Sequence, residues 1–297
     1  MTENLPAEEI SITDDFRWNL LQRKAAEVRA SSAFAIFRQH GIEPILIKGL
    51  AAALNYPETV SRESIDMDLA VSETDFEAAK AIAESAEAKG LAIDLHRELR
   101  HLDTVAWADL FRNSHLMEFA TGEIRVLRPE DHLRVLCVHW LTDGGSNKSR
   151  LWDIYYAIKN RAADFDWDRF LNVVDANRRR WLVCTLGLAD RYLDLDLRGT
   201  PVETEARDLP NWLTKTVERE WASETHLVPL EVSIYDLKTL LPQIKRRLRA
   251  NPIWATLHMN GSFDAKTRFF YKIGSAFKRI PSSYHRISET LSQPRSK

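Results

Sequence analysis

Residues 45–71 read ILIKGLAAALNYPETVSRESIDMDLAV. Ile45–Ile47 is short and apolar, as a buried strand is, and the run ends on Lys48-Gly49. Leu50–Tyr56 is Ala-rich and reads as a helical turn or two, after which Pro57 and polar residues including Ser61, Arg62 and Ser64 mark a loop. Ile65–Val71 returns to strand texture, with Asp66 and Asp68 two residues apart. On a strand that spacing sends both carboxylates to one face and Ile65, Met67 and Leu69 to the other. Adjacent carboxylates repel unless a cation lies between them. An all-oxygen donor set of this hardness favours Mg2+ or Mn2+ over zinc.

A third acid, Asp94, sits in the middle of the next expected strand, Leu91–Leu99. Strand–helix–strand order allows it to approach the first pair. Three carboxylates from two strands suffice for two metal ions that activate an attacking hydroxyl and hold a triphosphate. The structural alternative for Asp94 is an edge-strand acid facing water. The same Asp-x-Asp spacing occurs at Asp164/Asp166, Asp166/Asp168 and Asp194/Asp196, but at helix edges, where residues two apart diverge. Those acids are read as caps and solvated faces.

Lys48, a cation at the end of a buried strand, is assigned to the triphosphate, the alternative being a strand-end lysine pointing to solvent. Arg62 is read either as a bidentate phosphate grip or as an ion pair with Glu58 or Glu63. Tyr56 stacks on a base or packs beneath the loop. His96 orients Asp94, contacts the acceptor, or is a hydrogen-bonded structural histidine.

Outward from this stretch, Phe16–Gly41 has helical periodicity, with Thr13 or Asp14 as cap and Gly41 as terminator. Ser72–Gly90 reads as a helix with Ser72 as N-cap and Gly90 at its end. His115–Leu127 is expected to form a hairpin turning at Thr121-Gly122. From Arg128 the pattern becomes 3.6-residue, with the tryptophans at 140, 152, 167, 181, 212, 221 and 254 mostly at core spacings. His139 and Asp153 are expected to pair across successive helices. Arg198–Pro210 reads as a loop or linker, and the polar tail after Pro281 as a fraying end. The fold class is α+β, with an α+β lobe over 1–127 and an all-helical lobe with a basic C-terminal segment over 128–297.

The ordered set Lys48-Gly49, Tyr56, Arg62, Asp66-x-Asp68 and Asp94-x-His96 resembles the uncharacterised nucleotidyltransferase family of the DNA polymerase β superfamily. Arg128–Leu141 and Arg150–Ile158 are similar to that family's paired helices, with His139 and Asp153 at marked positions, and Arg268–Ile280 to its C-terminal helix. The resemblance implies a polymerase β-like nucleotidyltransferase lobe, a small mixed sheet with helices, closed by a helical lobe. It implies Asp66, Asp68 and Asp94 as catalytic metal ligands, an NTP such as ATP as donor, and release of pyrophosphate. Where the broader superfamily has Gly-Ser, this chain has Lys48-Gly49. Gly49 still lets the backbone approach a phosphate, and Lys48 adds a charge that serine lacks.

The net charge is −2, yet from Lys245 onward twelve Lys or Arg face only Asp264 and Glu289, a local +10. That segment is either an amphipathic helix docked on the acidic remainder, the preferred reading, or an RNA-binding element in which Phe269, Phe270, Tyr271 and Phe277 interleave with Lys272, Lys278 and Arg279. Cys137 and Cys184 suit a reducing cytoplasm. The N-terminal residues lack the charge and apolar pattern of a signal peptide, and no apolar run reaches the ~20 residues of a membrane span. The expectation is a cytoplasmic protein without membrane insertion. The acceptor is a small molecule, a peptide or protein, or RNA; DNA is not expected as a partner. The competing reading is a non-catalytic nucleotide-binding regulatory module, for example half of a toxin–antitoxin pair.

Overall fold

Helix α1 (Asp14–Gln39) is rich in alanine and free of Gly and Pro, which favours an uninterrupted helix. It stops where Gly41 adopts φ 73° and the Ile42 N–H closes on the Phe37 carbonyl at 3.0 Å. The computed structural model describes residues 14–60, 62, 66–223, 250–275 and 277–278. Thr13, Ser61, Glu63, Ser64, Ile65, residues 245–249, Arg279 and the tail after Pro281, all invoked above, lie outside the described residues.

After α1 come β1 (Ile45–Leu46), α2 (Gly49–Ala53), β2 (Met67–Val71), α3 (Phe76–Ala83), β3 (Ile93–Arg97), α4 (Trp107–Asn113), β4 (His115–Phe119) and β5 (Gly122–Val126). They form a five-stranded sheet in the order β3-β2-β1-β5-β4. The sheet is mixed: β2–β3 and β1–β5 are parallel, β1–β2 and β4–β5 antiparallel. Period-2 alternation puts Met67, Leu69 and Val71 on one face, where they pack with Ala33, Phe34 and Phe37 of α1 and Ala79 and Ile82 of α3. Each large side chain buried there contributes about 1.5–3 kcal/mol. The other face of β2 and β3 carries Asp68, Asp94 and His96.

Four sequence expectations are corrected in detail. Helix α3 starts at Phe76 with Asp75 at the N-cap position and ends at Ala83, well short of Gly90. The Ser72 hydroxyl instead accepts from the Asp75 N–H at 3.1 Å and donates to the Asp75 carboxylate at 2.6 Å, closing a turn before the helix. The hairpin turns at Ala120-Thr121, and Gly122, with φ 141°, is already the first residue of β5. Helix α4 was not anticipated, having neither a side-chain cap nor a long periodic run.

The remaining helices are α5 (Pro129–Thr142), α6 (Leu151–Lys159), α7 (Trp167–Leu171), α8 (Ala176–Leu193), α9 (Glu203–Arg207), α10 (Asn211–Trp221) and α11 (Pro252–His258). Two compact units result: one reaches Val135 and takes in Tyr156–Phe165; the other holds Leu136–Tyr155 and the described residues from Asp166 on. Asp166 caps α7 and Asp175 caps α8 through N–H groups three residues on. Asp194, at φ 56°, ends α8.

The fourth correction concerns Arg198–Pro210, which is not a linker. Its α9 buries Val202 and Ala206 completely. Where it meets α8, a Cβ on Gly187 would stand 2.0 Å from the Ala206 carbonyl oxygen. Gly→Ala inside a helix ordinarily stabilises by about 0.5–1 kcal/mol. Here Gly187→Ala is expected to destabilise, by about 1–3 kcal/mol, because backbone must move. Urea unfolding midpoints at unchanged m-value check the sign.

A buried ionic cluster ties the start of α5 to the segment after β3. Arg134, 1% exposed, donates through Nε to Asp103 Oδ2 at 2.9 Å and through Nη2 to Asp131 Oδ1. Asp103 also accepts from the Thr104 and Val105 N–H groups at 2.7 and 3.2 Å. Burial raises the Asp103 carboxyl above its ordinary value, although Arg134 pulls the other way. In the second unit, Arg150 donates to His139 Nε2 at 2.9 Å.

Candidate active site on the polar face of strands β2 and β3

The parallel register pairs Asp68 with Asp94 and Ala70 with His96. Cross-strand neighbours share a face, and so do residues two apart on one strand. Asp68, Asp94 and His96 therefore point to the side opposite the core. His96 Nε2 donates to Asp68 Oδ1 at 3.1 Å and lies 3.2 Å from Asp94 Oδ2. One donor atom from each of the three lies within 4.8 Å of the others. Ligands about 2.0–2.3 Å from a single ion lie at most about 4.6 Å apart, and His96 Nε2 stands well inside that from both carboxylates, so these donors could gather on a divalent cation.

Lys48 joins the cluster by an unusual route. Ile45 pairs with Ala70 and Leu46 with Leu69. Continuing that antiparallel register sets Ile47 opposite Asp68, consistent with the Ile47 N–H donating to the Asp68 carbonyl at 2.9 Å. Plain alternation would carry Lys48 to the Met67 side, into the core. Instead Lys48 adopts φ 52° and ψ −150°, a region that side chains rarely enter. Its Nζ then lies 2.7 Å from Asp68 Oδ1, with the side chain 9% exposed. The strained residue sits at the junction of β1 and the all-buried α2.

This conformation gives a test. At an ordinary site Ala is more stabilising than Gly, but at φ 52° the order should invert. Lys48→Gly is expected to be more stable than Lys48→Ala by about 1 kcal/mol or more, read as the difference between their denaturation free energies. Equal stabilities would contradict the strain.

Burial alone would raise the Asp68 carboxyl, but the hydrogen bond from His96 and the charge of Lys48 outweigh it and leave it below the ordinary carboxylate value. A depressed carboxyl adds stability that is complete above its unfolded value near 4 and is lost as pH falls through the folded value.

The other expected residues are placed as follows. Asp66 is exposed and stands one residue before β2, outside the group of three converging donors. Tyr56 is buried with its ring 4.4 Å from that of Tyr156, packed beneath the loop. Arg62 is half-buried in non-regular chain, and Gly49, at φ 35°, opens α2. Sequence reasoning assigned Lys48 to phosphate and missed its direct pairing with Asp68; the apolar run preceding a lone lysine was the only available signal.

A family model described as "Uncharacterised nucleotidyltransferase" matches residues 3–194, which takes in the whole sheet and every residue of this cluster. The chain belongs to that family. No curated protein and no solved structure matches it. Membership supports nucleotidyl transfer as the general activity and an NTP as substrate. No helix among the described residues is long and apolar enough to cross a membrane.

Residues 245–249, 276 and 279–297 of the basic C-terminal segment lie outside the described residues. In the helical stretch 269–275, Phe269 is 60% and Phe270 72% exposed, and Phe277 further on is 68% exposed. The small residues pack inward: Ser275 is fully buried and Gly274 abuts Met259.

Proposed function

We propose that the protein is a metal-dependent nucleotidyltransferase that moves a nucleoside monophosphate from an NTP to a hydroxyl or phosphate acceptor and releases pyrophosphate. The observation that supports this best is the convergence of Asp68, Asp94, His96 and Lys48 on one sheet face within the family match. Asp68, Asp94 and His96 would hold a divalent ion, with Asp66 as a further oxygen donor. A bound divalent ion supplies Lewis-acid stabilisation of phosphate oxygens and a more acidic acceptor hydroxyl. Lys48 and Arg62 neutralise the charge that develops on the leaving pyrophosphate. Without the ion, His96 Nε2 holds both carboxylates by hydrogen bonding; to serve as a ligand that nitrogen would give up its proton.

The test is pyrophosphate release from each NTP, with Mg2+ or Mn2+, in the presence of small-molecule, RNA or protein fractions of a host lysate. Release that depends on one fraction and disappears in Asp68→Asn is the expected result. Nucleotide binding without release in any combination would instead support the regulatory module.

RNA is the acceptor class favoured by one further observation: exposed Phe269, Phe270 and Phe277 stand among Lys272 and Lys278, an arrangement that stacks bases and tracks phosphates. Retention of RNA that weakens with salt, and falls in Phe269→Ser/Phe270→Ser, is expected; unchanged retention would remove this reading.

A further inference from the structure

We propose that Asp68, Asp94 and His96 form a mixed carboxylate–imidazole site that prefers Mn2+ to Mg2+, and that Lys48 is the cation this metal displaces. The inference rests on the metal-dependent reading above and goes beyond it in naming the metal and the occupant it replaces.

The first part follows from the donors. The sequence alone suggested three carboxylates, a set that accepts Mg2+ and Mn2+ alike. The geometry substitutes an imidazole for one of them, with His96 Nε2 3.1 and 3.2 Å from the two carboxylates. Mg2+ is a hard ion that keeps oxygen ligands and several waters, whereas imidazole nitrogen suits the first-row transition metals. Mn2+ accepts both kinds of donor.

The second part follows from Asp68 Oδ1, which receives both Lys48 Nζ at 2.7 Å and His96 Nε2 at 3.1 Å. An ammonium that close to a ligand oxygen repels any cation bound to the same oxygen. Lys48 thus neutralises Asp68 when no metal is present and competes with the metal for it. The ammonium stands on a flexible four-carbon stem, so it can leave Asp68 without the backbone moving. A triphosphate offers it another anionic partner. Metal and nucleotide then bind with positive coupling, each favouring the state in which Lys48 has left Asp68, and the coupling is reciprocal.

The test uses the full chain and Mn2+, followed by electron paramagnetic resonance. Pulsed spectra of bound Mn2+ are expected to show nitrogen-14 modulation from a directly coordinated imidazole, lost in His96→Gln. Without nucleotide, Lys48→Gly should bind Mn2+ about tenfold tighter than wild type. A non-hydrolysable NTP analogue should tighten Mn2+ binding in wild type and much less in Lys48→Gly. Gly suits the backbone at position 48, Lys48→Gln serves as a second variant, and circular dichroism verifies both folds. Magnesium should displace Mn2+ from wild type only in excess of about tenfold, and more readily from His96→Gln. Absence of nitrogen modulation, or unchanged Mn2+ affinity in both folded Lys48 variants, would overturn the inference. Transfer activity without nitrogen coordination would defeat this proposal alone; nitrogen-coordinated Mn2+ without transfer would defeat the proposed reaction alone.

Discussion

Asp68→Asn is expected to lower nucleotidyl transfer by about a thousandfold or more, the largest effect of any single change in the candidate site. The substitution keeps the shape of the side chain and removes its charge. Two observed contacts disappear, the acceptor for His96 Nε2 and the counter-charge to Lys48, and with them the proposed donor to a divalent ion. Asp94 has a 57% exposed side chain and meets only His96 in this cluster, so Asp94→Asn should cost less, about ten- to a hundredfold. Removing the charge of Asp68 also leaves the Lys48 ammonium buried without a carboxylate, a cost of about 1–3 kcal/mol. Kinetics are therefore to be measured well below the variant's melting temperature, with kcat and KM separated. Retention of more than a tenth of wild-type turnover by folded Asp68→Asn would contradict the assignment.

The largest effect on stability is expected at Arg134. Replacing it with Met keeps most of its volume but takes from the buried Asp103 and Asp131 carboxylates the guanidinium that joins them. Breaking a buried pair in this way costs about 3–5 kcal/mol, a fall in melting temperature on the order of 10 °C. The pH dependence follows with a definite sign. The Asp103 carboxyl already lies above its ordinary value because of burial, and Arg134 is what restrains it. Without Arg134 it rises further, the folded state binds the proton more tightly than the unfolded one, and the deficit shrinks as pH falls from about 7 towards 5. A loss below about 1 kcal/mol, or a deficit that widens on acidification, would contradict the description of this cluster.

Much of the architecture is legible in the sequence because it rests on local patterns. Alternation in Met67–Val71, the lone lysine closing Ile45–Ile47 and glycine at the end of α1 each carry their own physical reason. What was illegible depends on distant partners. Arg134 looks like a polar interruption of an apolar helix until Asp103, 31 residues away, is brought to it. Segment 198–210 carries Gly199, Pro201 and three glutamate or aspartate side chains, a loop composition, yet Val202 and Ala206 find a groove opened by the missing side chain of Gly187. In the candidate site, Asp68 and Asp94 were singled out from the sequence, but their side-by-side placement comes from a strand register no local pattern encodes. Lys48 was recognised too, and its pairing was missed because φ 52° is a conformation expected of glycine. His96, read chiefly as structural, joins both carboxylates for the same reason of register.

The central claim is tested most directly by incubating the protein with ATP labelled at the α-phosphate, and in parallel at the γ-phosphate, with Mn2+ and the fractionated lysate. The account predicts that α-label passes to one acceptor fraction, that γ-label appears only in pyrophosphate, and that Asp68→Asn does neither. Transfer of γ-label to the acceptor, or α-label transfer undiminished in Asp68→Asn, would contradict it.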